Sequence, residues 1–420
     1  MTQQTKGNKL ILALLWPIAG LVSSLKHWRE PWAKDVFWLV CIFLGAIQIY
    51  HPAGTILGDG SDAGRYVLEL EWMHQSGLIW ETLAASFFTG DGHASVDIFQ
   101  PVLSFLVSRV TDNGHIFFCV LAMIYGFFYS RNIWYVLDRL PDKRMGWIWV
   151  MMAFYFLVCP IWQINGVRMW TALHIFVYGA MPYLIEGKRK SLIWCVVSLL
   201  VHFSFLYPLA VIILFHLVKN RNMSIFFAFY IFTLFVKTLD LSAISSLLTN
   251  ILPGMYENRI ESYVNENTMD KRLEAAEKLS WHVTFANNML YWVIQFLIIY
   301  VYGKLKAYAK FDLDVNNLFK FALLIYGVSN ILTFIPSGVR FITVSQMFMI
   351  PVFMFVLTRY PRSNEYNFIE PIWGIFMLFV VIFNIRKGLG YYDFNLLTNI
   401  LVAPIMRIDV PIMDMIKSFL

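Results

Sequence analysis

Arg168, His202 and Arg340 are the residues of this chain most suited to chemistry, because each stands at the edge of an apolar run. Arg168 opens the run that follows "QING", His202 interrupts the run 191–218, and Arg340 opens the run that follows "PSG". A charged side chain at the centre of a helix in lipid costs about 2.5–3.5 kcal/mol on insertion scales, and less near the interface. A guanidinium is a planar fork of donors that keeps its charge, so two of them suit the oxygens of a phosphate-like anion. At about 4 Å and an effective dielectric near 20, one such pair is worth ~4 kcal/mol before desolvation. Carboxylates able to handle protons come from one acid-rich stretch. There Asp59, Asp62, Glu69, Glu71, Glu81, Asp91 and Asp97 face Arg65 as the one basic partner among Lys and Arg.

The scaffold that must position these groups follows from composition. The chain has 420 residues, of which 59% are hydrophobic and 14% charged, whereas soluble domains carry about a quarter charged. A water-soluble core of this composition would leave large apolar patches exposed. Lipid as the solvent resolves the difficulty, since helices of roughly 17–25 apolar residues satisfy their own backbone across the hydrocarbon. The 15 Trp and 21 Tyr suit interfacial belts. Cys41, Cys119, Cys159 and Cys195 all lie inside apolar runs, with no metal-ligand or disulfide spacing. The net charge of +6 does not indicate nucleic acid, because the basic residues cluster in short loops between apolar segments, as membrane topology requires.

The reading is therefore all-α: a single polytopic bundle over residues 1–420 with about eleven or twelve spans. Spans are expected near 35–51, 114–137, 146–162, 167–185, 223–240, 283–303, 318–335, 340–358 and 367–385. The run 191–218 is too long for one ordinary span, and His202 with Pro208 divides it into two short helices. Residues 1–34 form an N-terminal apolar helix, spanning or interfacial, with no convincing cleavage site after it. The amphipathic run 97–110 is re-entrant or interfacial.

Charge then assigns the sides. Loops carrying Lys26, Arg29 and Lys34; Arg139, Lys143 and Arg144; Lys188 to Lys190; Lys219 and Arg221; Lys304, Lys306 and Lys310; and Arg359 and Arg362 are expected in the cytoplasm. The complementary segments face outward: an acidic loop 51–113 with a short amphipathic helix, the turn 163–166, the tip at His202, the loop 241–282, the turn 336–339 and the tail 386–420. Arg168, His202 and Arg340 thus converge on the outer end, around an expected periplasmic-side cavity. Plainer roles compete at several positions. Arg168 and Arg340 can snorkel to lipid phosphates, Asp62 and Asp97 can cap helices, Glu69 and Glu71 read as solvated, and His174 reads as a core hydrogen-bonding residue. Asp312 and Asp314 spell a metal-binding "DLD", but in a basic loop without a supporting fold, and no metal site is expected.

The stretch "NGVRMWTALHIFVYGAMPYLIEGKRKSLIWCVVSLLVHFSF" resembles the EpsG family of exopolysaccharide-synthesis membrane proteins, related in role to Wzy-type polymerases. The matching features are an Arg opening a span (Arg168), a short basic turn ("EGKRK") and a helix ending in His with a small polar residue two positions on (His202, Ser204). "SDAGRYVLEL" resembles the family's Asp–aromatic element through Asp62 and Tyr66, "DIFQPVLSFLVSRV" its acidic-start segment through Asp97, and "SGVRFITVSQMFMIPVF" its late Arg–Phe span through Arg340 and Phe341. The ordered set covers most of the chain. Met169 stands where the family often has Gln, and the acidic start lacks the usual Glu-Pro-Gly flavour; both departures bear on substrate detail.

The resemblance implies a metal-independent, cofactor-free membrane glycosyltransferase of the bacterial inner membrane with its active face toward the periplasm. It would polymerise polyprenyl-pyrophosphate-linked oligosaccharide repeat units, as donor and acceptor, into O-antigen, capsule or exopolysaccharide. In that reading Arg168 and Arg340 take the pyrophosphate leaving group, Asp62 is the first candidate for the general base and His202 the second, and Tyr66 and Asp97 contact substrate. Expected partners are membrane lipid, a chain-length regulator and a flippase, with no nucleic acid. The alternative is a transporter or flippase for lipid-linked sugars or an anionic solute, which should show two matching halves. One strong helix break, at 202–208, argues against it. A membrane acyltransferase would need a stronger His-centred signal than the arginine pair.

Overall fold

A computed structural model describes residues 3–50, 62–87, 97–141, 146–236, 281–308, 313–335, 337–360, 364–403 and 410–419. The expected loop 241–282 lies almost wholly outside them. Every regular element among these residues is a helix. Six stretches are long and apolar enough to cross a membrane: Gly114–Leu137, Ile148–Glu186, Val283–Ala307, Asp314–Leu332, Arg340–Arg359 and Glu370–Tyr391. Shorter apolar helices Phe99–Ser108, Phe203–Val218 and Met223–Thr233 accompany them.

The chain opens with α1 (Gln3–Leu15) and α2 (Pro17–Lys26). Pro17 sits at the first turn of α2, where its missing N–H has no intrahelical partner to lose. The two helices fold back on one another so closely that a Cβ on Gly20 would stand 2.7 Å from that of Ala13. Helix α3 (Ala33–Ala46) packs along α7 (Gly114–Leu137). Gly45 lies under Ala122 and Gly126 under Cys41. Small residues at the seam let two backbones approach where apolar lipid gives no hydrophobic drive for association.

The acidic segment expected as a loop with one short helix contains three helices among its described residues: α4 (Asp62–Ser76), α5 (Trp80–Ser86) and α6 (Phe99–Ser108). α4 packs on α6, and α6 on the later helix pair that carries Arg168 and His202. Beyond α7 come α8 (Ile148–Val158), a 3-10 turn at Ile161–Gly166, and α9 (Val167–Glu186). α9 ends at Gly187, whose φ of +69° forms the left-handed C-cap that glycine adopts without strain. Next are α10 (Ile193–Val201), a 3-10 turn at Phe203–Phe205, α11 (Leu206–Val218) and α12 (Met223–Thr233). The break between α10 and α11 falls where His202 and Pro208 predict it.

The second half consists of α13 (Trp281–Tyr308), α14 (Leu313–Leu332), α15 (Arg340–Arg359), α16 (Asn364–Gly388) and α17 (Ile412–Ser418). α15 is the hub: an unbroken buried run from Val344 to Leu357 is wrapped by α8, α9, α13 and α14. The tail folds back onto α3, where Ile49 N–H donates to Tyr391 O and Tyr392 packs with Phe43 and Ile47.

The two ends of the bundle differ in charge. At one end Arg29 donates to the carbonyls of Leu140 and Pro141, Arg139 and Lys188 both pair with Glu186, and Lys34, Arg131, Arg139 and Lys188 line one cavity. Apart from Arg131, which lies within α7, these basic residues come from the loops that the charge bias predicts to be cytoplasmic. The opposite end, called here the Arg168 end, carries the start of α9, the end of α10 and the start of α15.

Candidate functional site

The α9–α10 hairpin brings Arg168 and His202 together. Its close packing depends on Gly179, whose added Cβ would meet Ser191 O at 2.8 Å and Cys195 N at 2.9 Å. Because the two helices run antiparallel from a short basic turn, the second residue of α9 and the residue closing α10 lie at the same end. His202 has extended backbone (φ −150°, ψ 119°), so it ends α10 and leaves the next N–H without an intrahelical acceptor.

That orphan is satisfied from a remote element. Phe203 N–H donates to Asp97 Oδ1 at 2.7 Å. The other oxygen of the same carboxylate, Oδ2, accepts from Arg168 Nη1 at 2.8 Å and from His202 Nδ1 at 2.9 Å. Asp97 is 2% exposed, and a charge buried that deeply persists only when it is paired and hydrogen-bonded. Burial alone would raise its pKa, but His202, Arg168 and the Phe203 N–H outweigh it and hold the carboxyl below the usual range. An ionised carboxylate only accepts, so His202 Nδ1 carries the proton and Nε2 is the basic nitrogen. Through the Phe203 N–H, Asp97 closes the break between α10 and α11.

Tyr66 and Glu69 reach the same place from α4. Arg168 Nε donates to Tyr66 Oη at 3.2 Å, so the guanidinium is held on two edges. Burial pushes the Tyr66 phenol up, which keeps it neutral. Glu69 is half-buried and accepts from Gln100 Nε2 at 2.8 Å; Gln100 also donates to Ser104 at 3.0 Å. Glu69, expected to be solvated, is thus half-buried and hydrogen-bonded. Burial raises its pKa, opposed by the Gln100 hydrogen bond and by Arg168. The i, i+3 spacing of Tyr66 and Glu69 and the four-residue spacing of Gln100 and Ser104 were available signals, since each pair shares one helix face.

The remaining expected residues fall differently. Asp62 opens α4 and pairs with Arg65, the next turn along. Arg340 is exposed at the first position of α15 and makes no side-chain hydrogen bond or ion pair among the described residues. Its neighbour Phe341 meets the Tyr207 ring at 4.6 Å, which anchors this corner to α11. The cluster around Asp97 therefore includes Arg168, His202 and Tyr66, while Arg340 stands outside it; a grip by both arginines on one anion is not formed by these contacts. His174 is fully buried and hydrogen-bonds Cys159 O at 3.0 Å and Tyr125 Oη at 3.1 Å, the core role expected of it. Among the described residues no group of three or more His, Cys, Asp or Glu side chains could hold a metal ion.

Chemically, the site joins a doubly oriented guanidinium, an imidazole whose basic nitrogen is set by a carboxylate, and a second carboxyl whose pKa burial raises. No curated protein and no solved structure matches the chain. The profile of one family, described as EpsG, matches residues 24–399. With a helical bundle long and apolar enough for a membrane and a match over most of its length, the chain belongs to the EpsG family of Wzy-type polymerases.

Proposed function

We propose that this protein is a glycosyltransferase of the bacterial inner membrane that joins polyprenyl-pyrophosphate-linked oligosaccharide repeat units at its periplasmic face. Polymers of this origin include O-antigen, capsule and exopolysaccharide. The observation that carries the reading is the shared carboxylate of Asp97, which holds Arg168 and His202 side by side at one end of the bundle. The hydroxyl of the acceptor sugar attacks the anomeric carbon of the donor. The bond from that carbon to the pyrophosphate oxygen breaks, and the lipid pyrophosphate leaves with the bonding pair. Arg168, oriented by Tyr66 and Asp97, stabilises the charge that develops on the leaving group. The acceptor proton passes to His202 Nε2, with Asp97 fixing the tautomer and supporting the imidazolium. Asp62, tied to Arg65, is the weaker candidate for the base. Arg340 is placed to meet charge at the rim. The scheme uses no nucleotide sugar and no cofactor, and a flippase and a chain-length regulator would act before and beside it.

Deleting the gene and running the surface polysaccharide on a gel tests the proposal. The expected product is a lipid core bearing a single repeat unit, restored to full-length polymer by the wild-type gene and not by Arg168→Ala at equal abundance. Loss of every repeat unit would indicate export instead, and full-length polymer in the deletion strain would refute the reading.

A further inference from the structure

A second polar feature opens at the Arg168 end: a cavity of about 540 Å³ between the end of α8, the start of α13, the start of α15 and the end of α16. Four carboxamides line it, Gln163, Asn287, Gln346 and Asn384, together with Arg386 and Lys387. No acidic side chain is among its lining residues. Amides on lipid-embedded helices cost free energy unless they find partners; these four come from three helices and a turn, and Gln346 among them hydrogen-bonds Tyr326. Asn384 uses its N–H on Val380 O, one turn back, at 2.9 Å, which leaves its oxygen for another donor. A carboxamide offers both donors and acceptors, the match for sugar hydroxyls, while Phe383 and the apolar walls suit the C–H faces of a ring. Arg386 and Lys387 lie at the end where the positive-inside tendency disfavours basic residues. The volume is within the usual range for small-ligand sites, roughly 300–1,000 Å³.

The cavity and the Asp97 cluster are connected along the chain by one short turn. The 3-10 turn Ile161–Gly166 presents Gln163 to the cavity and runs directly into Arg168. Trp162 in that turn lies over Gly388, where an added Cβ would stand 2.8 Å from its ring. A reaction that joins two lipid-linked saccharides has to hold both at once. We infer that the cavity seats a second lipid-pyrophosphate-linked saccharide, its hydroxyls on the four amides and its pyrophosphate on Arg386 and Lys387. The inference rests on the polymerase reading given above.

The test is equilibrium binding in nanodiscs, in an Arg168→Ala background that blocks turnover and weakens the first seat. The probes are the lipid-linked repeat unit extracted from cells lacking the gene, and polyprenyl pyrophosphate without sugar. Asn287, Arg386 and Lys387 are exposed, so changing them leaves the core packing intact. Gln163→Leu with Asn287→Leu should weaken the repeat unit about tenfold and the sugar-free lipid less than about twofold. Arg386→Glu with Lys387→Glu should weaken both about tenfold. Unchanged binding in both double variants would overturn the assignment, as would displacement of the repeat unit by phosphatidylglycerol at equal concentration, which marks a general anionic-lipid seat. If either happens while gene deletion still leaves single repeat units, the cavity assignment falls and the polymerase reading stands. Full-length polymer in the deletion strain removes both.

Discussion

Asp97→Asn isolates what the shared carboxylate does, because the substitution keeps shape and removes charge. Among the described residues, three donors converge on two oxygens: Phe203 N–H at 2.7 Å, Arg168 Nη1 at 2.8 Å and His202 Nδ1 at 2.9 Å. Asparagine keeps one oxygen. If that oxygen serves Phe203, the amide NH2 faces His202 and the guanidinium. The imidazole then accepts at Nδ1 and carries its proton on Nε2, the nitrogen that has to be basic. A wrong tautomer of this kind costs about 10⁴-fold in rate where a carboxylate orients a catalytic His. Removing one partner of a buried charge pair costs about 3–5 kcal/mol; with Arg168 retaining part of its side chain in solvent (24% exposed), the lower end of that range applies. The assay is polymer length and extension rate at matched abundance, with a thermal melt of the purified protein. The expected result is extension reduced by about 10³-fold or more together with a lower melting temperature. Asp97→Glu should restore part of the extension and Asp97→Ala none. Polymer of normal length from Asp97→Asn, at normal abundance, would refute the assignment of His202 as the base oriented by Asp97.

Three further outcomes are expected. Glu69 has a raised pKa from burial, so what its protonated form contributes to stability is complete below the ordinary carboxylate range and fades as pH rises through the raised value. Asp97, held low, contributes stability above the ordinary range that is lost as pH falls through its depressed value. Melting temperature in wild type should therefore fall at both sides of a mildly acidic optimum, and Glu69→Gln should remove the decline on the alkaline side alone; an unchanged profile would contradict the buried placement of Glu69. Gly179→Leu should wedge the α9–α10 hairpin, cost about 1–3 kcal/mol, and reduce extension with no change to any site residue; a melt equal to wild type would show the hairpin is not close-packed there. Arg340→Ala should lower extension less than about tenfold, whereas Arg168→Ala abolishes it, and equal loss in both variants would restore the two-arginine grip on one anion.

The parts of the site legible in the sequence were those set by local rules. A helix opened by Arg168, a short turn through Gly187 and a helix closed at His202 predict that the two residues meet, since antiparallel neighbours joined by a short turn must. The break at 202–208 follows from Pro208 and the length of the run. Asp97 as the group between them was not readable as such, because it is 71 residues from Arg168 and 105 from His202, and only the docking of α6 on the hairpin supplies that contact. Glu69 reads as solvated because α4 is amphipathic; the Gln100 that hydrogen-bonds it lies on a different helix. Arg340 was grouped with Arg168 because both open spans at the same end, and topology fixes an end but not a position around the bundle. The amide cavity escaped for the same reason. Gln163, Asn287, Gln346 and Asn384 carry no common spacing, and each alone is an unremarkable polar residue in an apolar run.

The arrangement also makes binding and proton transfer interdependent in the proposed mechanism. Oδ2 of Asp97 serves the cation that would hold the pyrophosphate and the imidazole that would take the proton. When an anion occupies the free face of Arg168, the guanidinium draws less on Asp97, and the carboxylate's field falls more fully on His202. A less compensated carboxylate stabilises an adjacent imidazolium more strongly. Proton abstraction from the acceptor would then be favoured only when a donor is in place, which guards a lipid-linked saccharide against loss to water. Arg168→Lys tests this coupling apart from charge. A lysine keeps the positive charge but is a single-headed donor, unable to hold Tyr66, Asp97 and an anion through separate edges of one plane. Extension should stay below about a tenth of wild type, and the pH at which the residual rate is half-maximal should move when donor concentration is raised through saturation in wild type but not in Arg168→Lys. A half-maximal pH independent of donor in wild type would show that the two roles of Asp97 are not linked.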